Sequence, residues 1–214
     1  MKQAVFFDLD GTLLDTRPGI FRCVRHMLRE LDAGERTDVE LMAIIGPPLS
    51  VGFSRILGTD DAALVERAVE IYRAEYAAAG MYEARVYAGI EELCERLRAD
   101  GVLLRVVTSK AQVFAEKIVA RFGLDRYFAR VYGPDLSGNH ADKTELIAHV
   151  LESEKVIPGN TAMIGDRMYD MIGARANGVF AVGALWGFGS EAELEAAGAE
   201  VLASDPSAVI ENFL

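Results

Sequence analysis

Cysteine is scarce in this chain of 214 residues: only Cys23 and Cys94 occur, far apart and each within a helical pattern. A thiol in that setting is usually a small apolar filler, so the spacing argues against a disulfide framework and against a catalytic thiol. Histidine is limited to His26, His140 and His149, and no two of them stand at metal-ligand spacing, which argues against a histidine-based metal centre. Of the three, His140 on a polar loop near Lys143 is best placed to reach a site. Long apolar runs are also missing. No stretch approaches the roughly 20 residues needed to span a bilayer, and Met1-Lys2-Gln3-Ala4 runs straight into a strand pattern rather than a signal peptide. A cytoplasmic protein with no membrane partner is expected. Basic charge is short as well, with 22 Lys and Arg against 33 Asp and Glu and a formal net charge of −11. That balance argues against a nucleic-acid surface, which needs a basic patch. The acidic stretch Glu191-Ala192-Glu193-Leu194-Glu195 reads as a solvated helix face.

What is present is enough apolar material, 51% of residues, to bury one full core and a small second domain. After Asp15, Ile20, Val24, Met27, Leu28 and Leu31 recur at helical spacing, and Val65, Val69, Tyr72 and Tyr76 do so later. Gly46-Pro47-Pro48-Leu49 interrupts any helix between them. Residues 16–84 therefore read as an all-helical insertion. From Gly89 onward helices and strands alternate, the signature of a parallel sheet covered on both faces. The strands expected are Leu103 to Val107, a short one at Val131-Tyr132, Thr161 to Ile164, and Val179 to Val182. Helices are expected on Ile90, Leu93 and Leu97, on Phe114, Ile118 and Phe122, and on Leu146, Ile147, Val150 and Leu151.

The most informative segment is the apolar run Ala4-Val5-Phe6-Phe7 ending in Asp8-Leu9-Asp10-Gly11-Thr12-Leu13. Two carboxylates stand where a buried strand becomes a loop, the place where open α/β sheets carry their ligands. Residues two apart on a strand project to one side, so Asp8 and Asp10 could address one reacting group while Gly11 permits a sharp exit. The competing reading is a plain capped turn, since Asp, Gly and Thr are ordinary turn residues.

This hexapeptide resembles the first signature of the haloacid dehalogenase superfamily, particularly its phosphatases. Three further elements follow in that family's order: Thr108 after Leu103-Leu104-Arg105-Val106-Val107, Lys143 opening a helical pattern, and Gly165-Asp166-Arg167-Met168-Tyr169-Asp170 after Thr161-Ala162-Met163-Ile164. Thr108-Ser109-Lys110 also resembles the second signature of the phosphoglycolate phosphatase branch. The resemblance covers essentially the whole chain. It implies an α/β fold, a Rossmann-type parallel sheet with helices on both faces, with residues 1–15 and 85–214 as catalytic core and 16–84 as a helical cap inserted after the first strand.

The resemblance further implies a phosphomonoesterase acting on a small phosphorylated metabolite. In that reading Asp8 is the nucleophile that forms an aspartyl phosphate, and Asp10 is the acid and then the base. Thr108 and Lys143 stabilise the transferring phosphoryl group. Gly11, Thr12, Thr108, Ser109 and Lys143 contact the substrate. Asp8, the Asp10 carbonyl and Asp166 bind metal, and Asp170 holds a metal-bound water or orients Lys143. A site lined by Asp8, Asp10, Asp166 and Asp170 would repel a phosphate ester without a cation, and Mg²⁺ suits such an oxygen-rich set. Taken singly, the same residues have plainer readings: Thr108 as a helix cap, Lys143 as a surface charge, Asp170 as a first-turn acid.

Several alternatives stay open. Ile45-Gly46-Pro47-Pro48-Leu49 and Trp186-Gly187-Phe188-Gly189 resemble phosphoglycolate phosphatases and also related 5′-nucleotidases. A phosphoglucomutase would share the catalytic groups, a dehalogenase would have no use for the Asp10 carboxylate, and a non-catalytic binding module would not need the full set. The cap is expected to close over the core and select the leaving group, with Arg17, Arg22 and Arg55 as loose candidates for reading an anionic substrate. The Trp186-Gly187-Phe188-Gly189 segment is read as a surface turn with Trp186 packed inward in preference to a substrate-holding loop. Lys110 and Arg167 are left between attracting an anion and facing solvent.

Overall fold

The computed structural model describes residues 2–213 and divides into two compact units, Met1–Asp15 with Val86–Leu214 and Thr16–Arg85. Among the described residues no helix is long and apolar enough to cross a membrane. In chain order the elements are β1 (Ala4–Phe7), β2 (Leu14–Asp15), α1 (Arg17–Glu30), α2 (Asp38–Met42), α3 (Leu49–Leu57), α4 (Ala62–Ala78), β3 (Arg85–Val86), α5 (Ile90–Ala99), β4 (Leu103–Val107), α6 (Gln112–Arg121), β5 (Val131–Tyr132), α7 (Lys143–Glu154), β6 (Thr161–Gly165), α8 (Met168–Ala176), β7 (Phe180–Ala184), α9 (Glu191–Ala197), β8 (Val201–Ala203) and α10 (Pro206–Phe213). Sequence periodicity did not single out the short strands β2, β3 and β8.

In the first unit six strands form one sheet in the order β5-β4-β1-β6-β7-β8, with every pairing parallel. A parallel sheet hides both faces, so its strands read as continuous apolar runs. Alternate residues of β1 serve the two sides. Ala4 and Phe6 join Met163 and Ala181 in a core closed by Leu146, Ile147 and Val150 of α7, Met171 and Ala174 of α8 and Leu194 of α9. On the other side Val5 and Ile164 face Leu97 of α5 and Val209 of α10, and Phe7 meets Phe128 edge-on at 5.5 Å. In α6 the buried face is Ala115, Ile118 and Val119. Phe114 and Phe122, expected to form that face with Ile118, are only half-buried; the small Ala115 lets the helix lie closer to the sheet than a phenylalanine would.

One charged residue interrupts the apolar strand β4, and the structure explains it. Arg105 is buried, and its guanidinium binds Glu154 of α7 through two bonds, Nε to Oε1 at 2.7 Å and Nη2 to Oε2 at 2.8 Å. The Tyr132 hydroxyl donates to the same carboxylate at 2.5 Å. A bidentate pair of this kind is charge-assisted and geometrically specific, and the Arg105 bonds hold the Glu154 carboxyl below its ordinary pKa.

Apart from Arg85, which opens β3, the described elements of the second unit are helical. The α1 face buries Ile20, Val24, Met27 and Leu28, while Leu31 lies past the helix end and stays half-exposed. A capping box starts α2: the Thr37 amide donates to Glu40 Oε2 at 2.8 Å and the Glu40 amide donates to Thr37 Oγ1 at 3.4 Å. Pro48 marks the start of α3. The Asp61 carboxylate caps α4 by accepting from the Ala63 amide at 3.0 Å. Tyr72 packs edge-on against Phe53 at 5.4 Å and stacks on Tyr76 at 5.5 Å.

Candidate active site

Strand order determines which residues can meet. β1 lies between β4 and β6, with Phe7 opposite both Val106 and Ile164. The residues that leave these three strands, Asp8, Thr108 and Asp166, therefore emerge together at the carboxyl edge of the sheet, where ligands of such folds are bound. The Asp8 amide donates to the Ile164 carbonyl at 2.9 Å, which ties the exit of β1 to β6.

Lys143 is the first residue of α7, a helix whose start is fixed by Asp142 accepting from the Thr144 and Glu145 amides at 2.8 and 3.1 Å. Its side chain runs inward and is buried. The ammonium donates to Asp8 Oδ1 at 3.0 Å and to the Val107 carbonyl at 2.8 Å, and pairs with Asp170 Oδ1 at 2.8 Å. Burial by itself would lower the Lys143 pKa; Asp170 and then Asp8 outweigh that effect and raise it, so the lysine is a fixed positive charge. The reading of Lys143 as a surface charge does not describe this residue.

Asp166 is fully buried. Its Oδ1 accepts from Thr12 Oγ1 at 2.9 Å and its Oδ2 from the Phe188 amide at 2.9 Å. Burial first, then the charges of Asp8 and Asp170, push its pKa well above the ordinary carboxyl value, with the two hydrogen bonds acting the other way. Asp170 is buried in the first turn of α8 and gives Oδ1 to Lys143 and Oδ2 to the Arg167 amide at 3.1 Å. Its carboxyl is raised to about 6 by burial, with Lys143 pulling down and Asp8 pushing up.

Asp8, Asp166 and Asp170 each offer a carboxylate oxygen within 4.8 Å of the others. Three buried carboxylates beside a single ammonium are an unfavourable grouping that a divalent cation relieves, and hard oxygen donors are the set that Mg²⁺ takes. Asp170 is charge-paired with Lys143, whereas Asp166 meets only the neutral donors Thr12 and Phe188, so Asp8 and Asp166 are the better-suited ligands and Asp170 supports Lys143.

The remaining residues divide between the cluster and its surroundings. The Asp10 carboxylate lies outside that trio and pairs through Oδ2 with Lys110 Nζ at 2.8 Å. Thr108 is buried, and its hydroxyl accepts from the Lys110 amide at 3.2 Å, leaving the hydroxyl proton to donate. Ser109 is exposed. Thr12 is fully buried with its hydroxyl turned onto Asp166, so it orients that carboxylate rather than facing a ligand. Gly11 adopts φ +81°, and a Cβ there would stand 2.1 Å from Asp166 Oδ2; only glycine suits both the conformation and the contact. Arg167 turns to Glu193 at 2.8 Å instead of the cluster. His140 stacks on His149 at 4.5 Å.

The Trp186-Gly187-Phe188-Gly189 segment is the feature whose role the sequence reading missed. Trp186 does turn inward, but its Nε1 donates to the Thr12 carbonyl at 2.9 Å while the Phe188 amide binds Asp166. A Cβ on Gly187 would lie 2.2 Å from Asp166 Cβ, and one on Gly189 would lie 2.0 Å from the Asp166 carbonyl oxygen. The loop clasps Asp166. Its alternation of aromatic and glycine directly after an apolar strand is the signal that could have shown this.

A buried carboxylate cluster with an internal lysine, set at the carboxyl edge of an open parallel sheet, defines the chain as an α/β enzyme. A family model described as haloacid dehalogenase-like hydrolase matches residues 5–184, and the chain belongs to that family. It is 46% identical over 192 residues to a 5′-nucleotidase of Pseudomonas aeruginosa, covering 90% of this chain and 86% of that one. It is 33% identical over 182 residues to a phosphoglycolate phosphatase of Nitrosospira multiformis, covering 82% and 80%. Its structure matches that of a predicted phosphatase from Clostridium acetobutylicum with a TM-score of 0.92 at 36% identity, covering 99% of this chain and 98% of that one. With these relatives the chain is a phosphatase of the haloacid dehalogenase-like family.

Proposed function

We propose that the protein is a Mg²⁺-dependent phosphomonoesterase that works through an aspartyl phosphate on Asp8, with residues 16–84 as its cap domain. The observation that carries this reading is the buried contact of Lys143 with Asp8 and Asp170, beside Asp166. Phosphoryl transfer asks mainly for positioning and charge stabilisation. Asp8 supplies an oxygen that bonds to phosphorus as the ester P–O bond breaks, and Asp10 delivers a proton to the departing alkoxide. Asp10 then takes a proton from water as the water oxygen bonds to phosphorus and the Asp8–phosphorus bond breaks, releasing phosphate. Lys143 places a permanent positive charge where the equatorial oxygens gather negative charge, and Thr108 donates its hydroxyl proton to the same group. Asp8, the Asp10 carbonyl and Asp166 would hold Mg²⁺, whose charge would further neutralise the phosphoryl oxygens.

For the substrate class, the 46% identity to a 5′-nucleotidase favours nucleoside 5′-monophosphates over phosphoglycolate. Arg22, one of the arginines expected to read a small acid, is already paired with Glu75 at 2.8 Å and Glu83 at 3.0 Å. Phosphoglycolate is the second reading, supported by the Nitrosospira relative. The test is kcat/KM across a panel of metabolite phosphates with Mg²⁺. A nucleoside monophosphate should exceed phosphoglycolate by about tenfold or more, a difference of about 1.4 kcal/mol in transition-state binding. Asp8→Asn should be inactive yet folded, because an amide is too poor a nucleophile. Near wild-type turnover by that variant, or full activity after chelation, would overturn the mechanism.

A further inference from the structure

Lys110 is more enclosed than a surface lysine, which ordinarily keeps its head in water. Its side chain is 10% exposed and its ammonium stands 2.8 Å from Oδ2 of Asp10, a side chain that is 18% exposed. The backbone beneath it is held from two sides. The Lys110 amide closes the turn after β4 by donating to Thr108 Oγ1 at 3.2 Å, and the Gln112 amide donates to the Pro134 carbonyl at 2.9 Å. Gly133, just after β5, lies so near that a Cβ on it would stand 2.4 Å from the Lys110 carbonyl oxygen, so the loop after β5 buttresses this turn. β1 and β4 are parallel neighbours, which brings their two exits, and with them Asp10 and Lys110, side by side.

The other oxygen of Asp10 has a different environment. Oδ1 is buried and meets no hydrogen-bond donor among the described residues. An ammonium carries only donors, so with Lys110 on Oδ2, a proton that Asp10 gives or takes belongs on Oδ1. A carboxylate otherwise turns in a broad, two-fold torsional well, and its two oxygens would exchange places.

We propose that Lys110 is a positioning residue: by holding Oδ2 it keeps Oδ1 as the one oxygen of Asp10 that protonates the departing alcohol and later deprotonates water. The inference rests on the assignment of Asp10 as acid and base made above. Misplacing a reacting group by about 1 Å can cost about 10²-fold in rate, and the loss falls on steps that need the proton.

The test compares wild type, Lys110→Met, Lys110→Arg and Asp10→Asn as full-length, Mg²⁺-saturated proteins. The measurements are steady-state kcat and KM and the single-turnover rate of P–O cleavage on a nucleoside 5′-monophosphate and on 4-nitrophenyl phosphate. Lys110→Met should slow cleavage of the alkyl ester by about 10- to 100-fold while KM stays within about threefold. On the aryl ester, whose leaving group needs no proton, cleavage should fall by less than about threefold. Lys110→Arg should recover at least about a third of the lost rate, since it restores a cation on Oδ2. A raised KM with unchanged cleavage would assign Lys110 to binding the substrate anion and overturn the inference, as would equal losses on the two esters. If Asp10→Asn discriminates between the esters and Lys110→Met does not, the inference alone fails. If Asp10→Asn does not discriminate either, the assignment of Asp10 fails and takes the inference with it.

Discussion

Removing the Lys143 charge should unbalance the site in a way that can be measured as stability before any substrate is added. Lys143→Met keeps the length of the side chain and deletes its ammonium. Three oxygens then lose their partner: Asp8 Oδ1 at 3.0 Å, Asp170 Oδ1 at 2.8 Å and the Val107 carbonyl at 2.8 Å. Two buried carboxylates face each other and Asp166 without compensation. Breaking a buried pair from one side typically costs about 3–5 kcal/mol, because the remaining charge cannot return to water. For a chain of this size about 1 kcal/mol moves the midpoint by 2–4 °C, so the metal-free variant should melt about 6–20 °C below wild type at pH 7.5. Asp170→Asn on top of Lys143→Met removes one stranded charge and should return part of that loss. The assay is thermal unfolding in a chelator, followed by the fluorescence of Trp186, the single tryptophan, which is bonded to Thr12 beside the site. A Lys143→Met midpoint within about 2 °C of wild type, or a double variant less stable than the single one, would refute the electrostatic account.

Mg²⁺ should raise the melting midpoint more at pH 7.5 than at pH 4.5. Asp166 and Asp170 hold protons in the native state that the unfolded chain has already released, since both carboxyls are raised from 3.8, Asp170 to about 6. Through Asp170 the metal-free protein therefore loses stability as pH rises through about 4 to 6, Asp166 acts in the same direction, and the Asp166 carboxylate that binds metal becomes available as pH rises. At 100 times its Kd the ion should add about 2.7 kcal/mol; a gain independent of pH would count against these ligands. Gly187→Ala should lower kcat by about 10²-fold or more, because its Cβ would lie 2.2 Å from Asp166 Cβ and 2.4 Å from the Gly11 carbonyl oxygen; kcat with circular dichroism separates this from unfolding. Burial pushes the Cys94 thiol up to about 12, and Cys23 is buried too, so a thiol reagent at pH 8 should label neither until the protein is denatured. Rapid native labelling would show that these helices open readily.

Much of the fold was legible because parallel strands and amphipathic helices leave local marks. Ala4 to Phe7, Leu103 to Val107 and Thr161 to Ile164 are short apolar runs ending in polar residues, and each is a strand with a site residue at its exit. The strands β2, β3 and β8 were not legible, since so few residues carry no period, while the equally short Val131-Tyr132 was found between its neighbouring helix and loop. In α6 the spacing of Phe114, Ile118 and Phe122 fits a helix, yet the face that is buried belongs to Ala115, Ile118 and Val119. Periodicity finds a helix more readily than it finds which of two adjacent stripes meets the sheet.

The sequence by itself determined which residues stand at strand ends and helix starts, because hydrophobic period and turn chemistry act over a few neighbouring positions. Only the tertiary structure decided which of those ends meet. The placement of β1 between β4 and β6 sets Asp8 beside Thr108 and Asp166, and the burial of α7 against the sheet drives Lys143 between Asp8 and Asp170. The pairing of Lys110 with Asp10, the bond from Trp186 to Thr12 across 174 positions, and the match of Arg105 to Glu154 depend likewise on strand order and register. Those contacts are long-range, and the energy of a buried charge or hydrogen bond depends on a partner that no local stretch of sequence specifies.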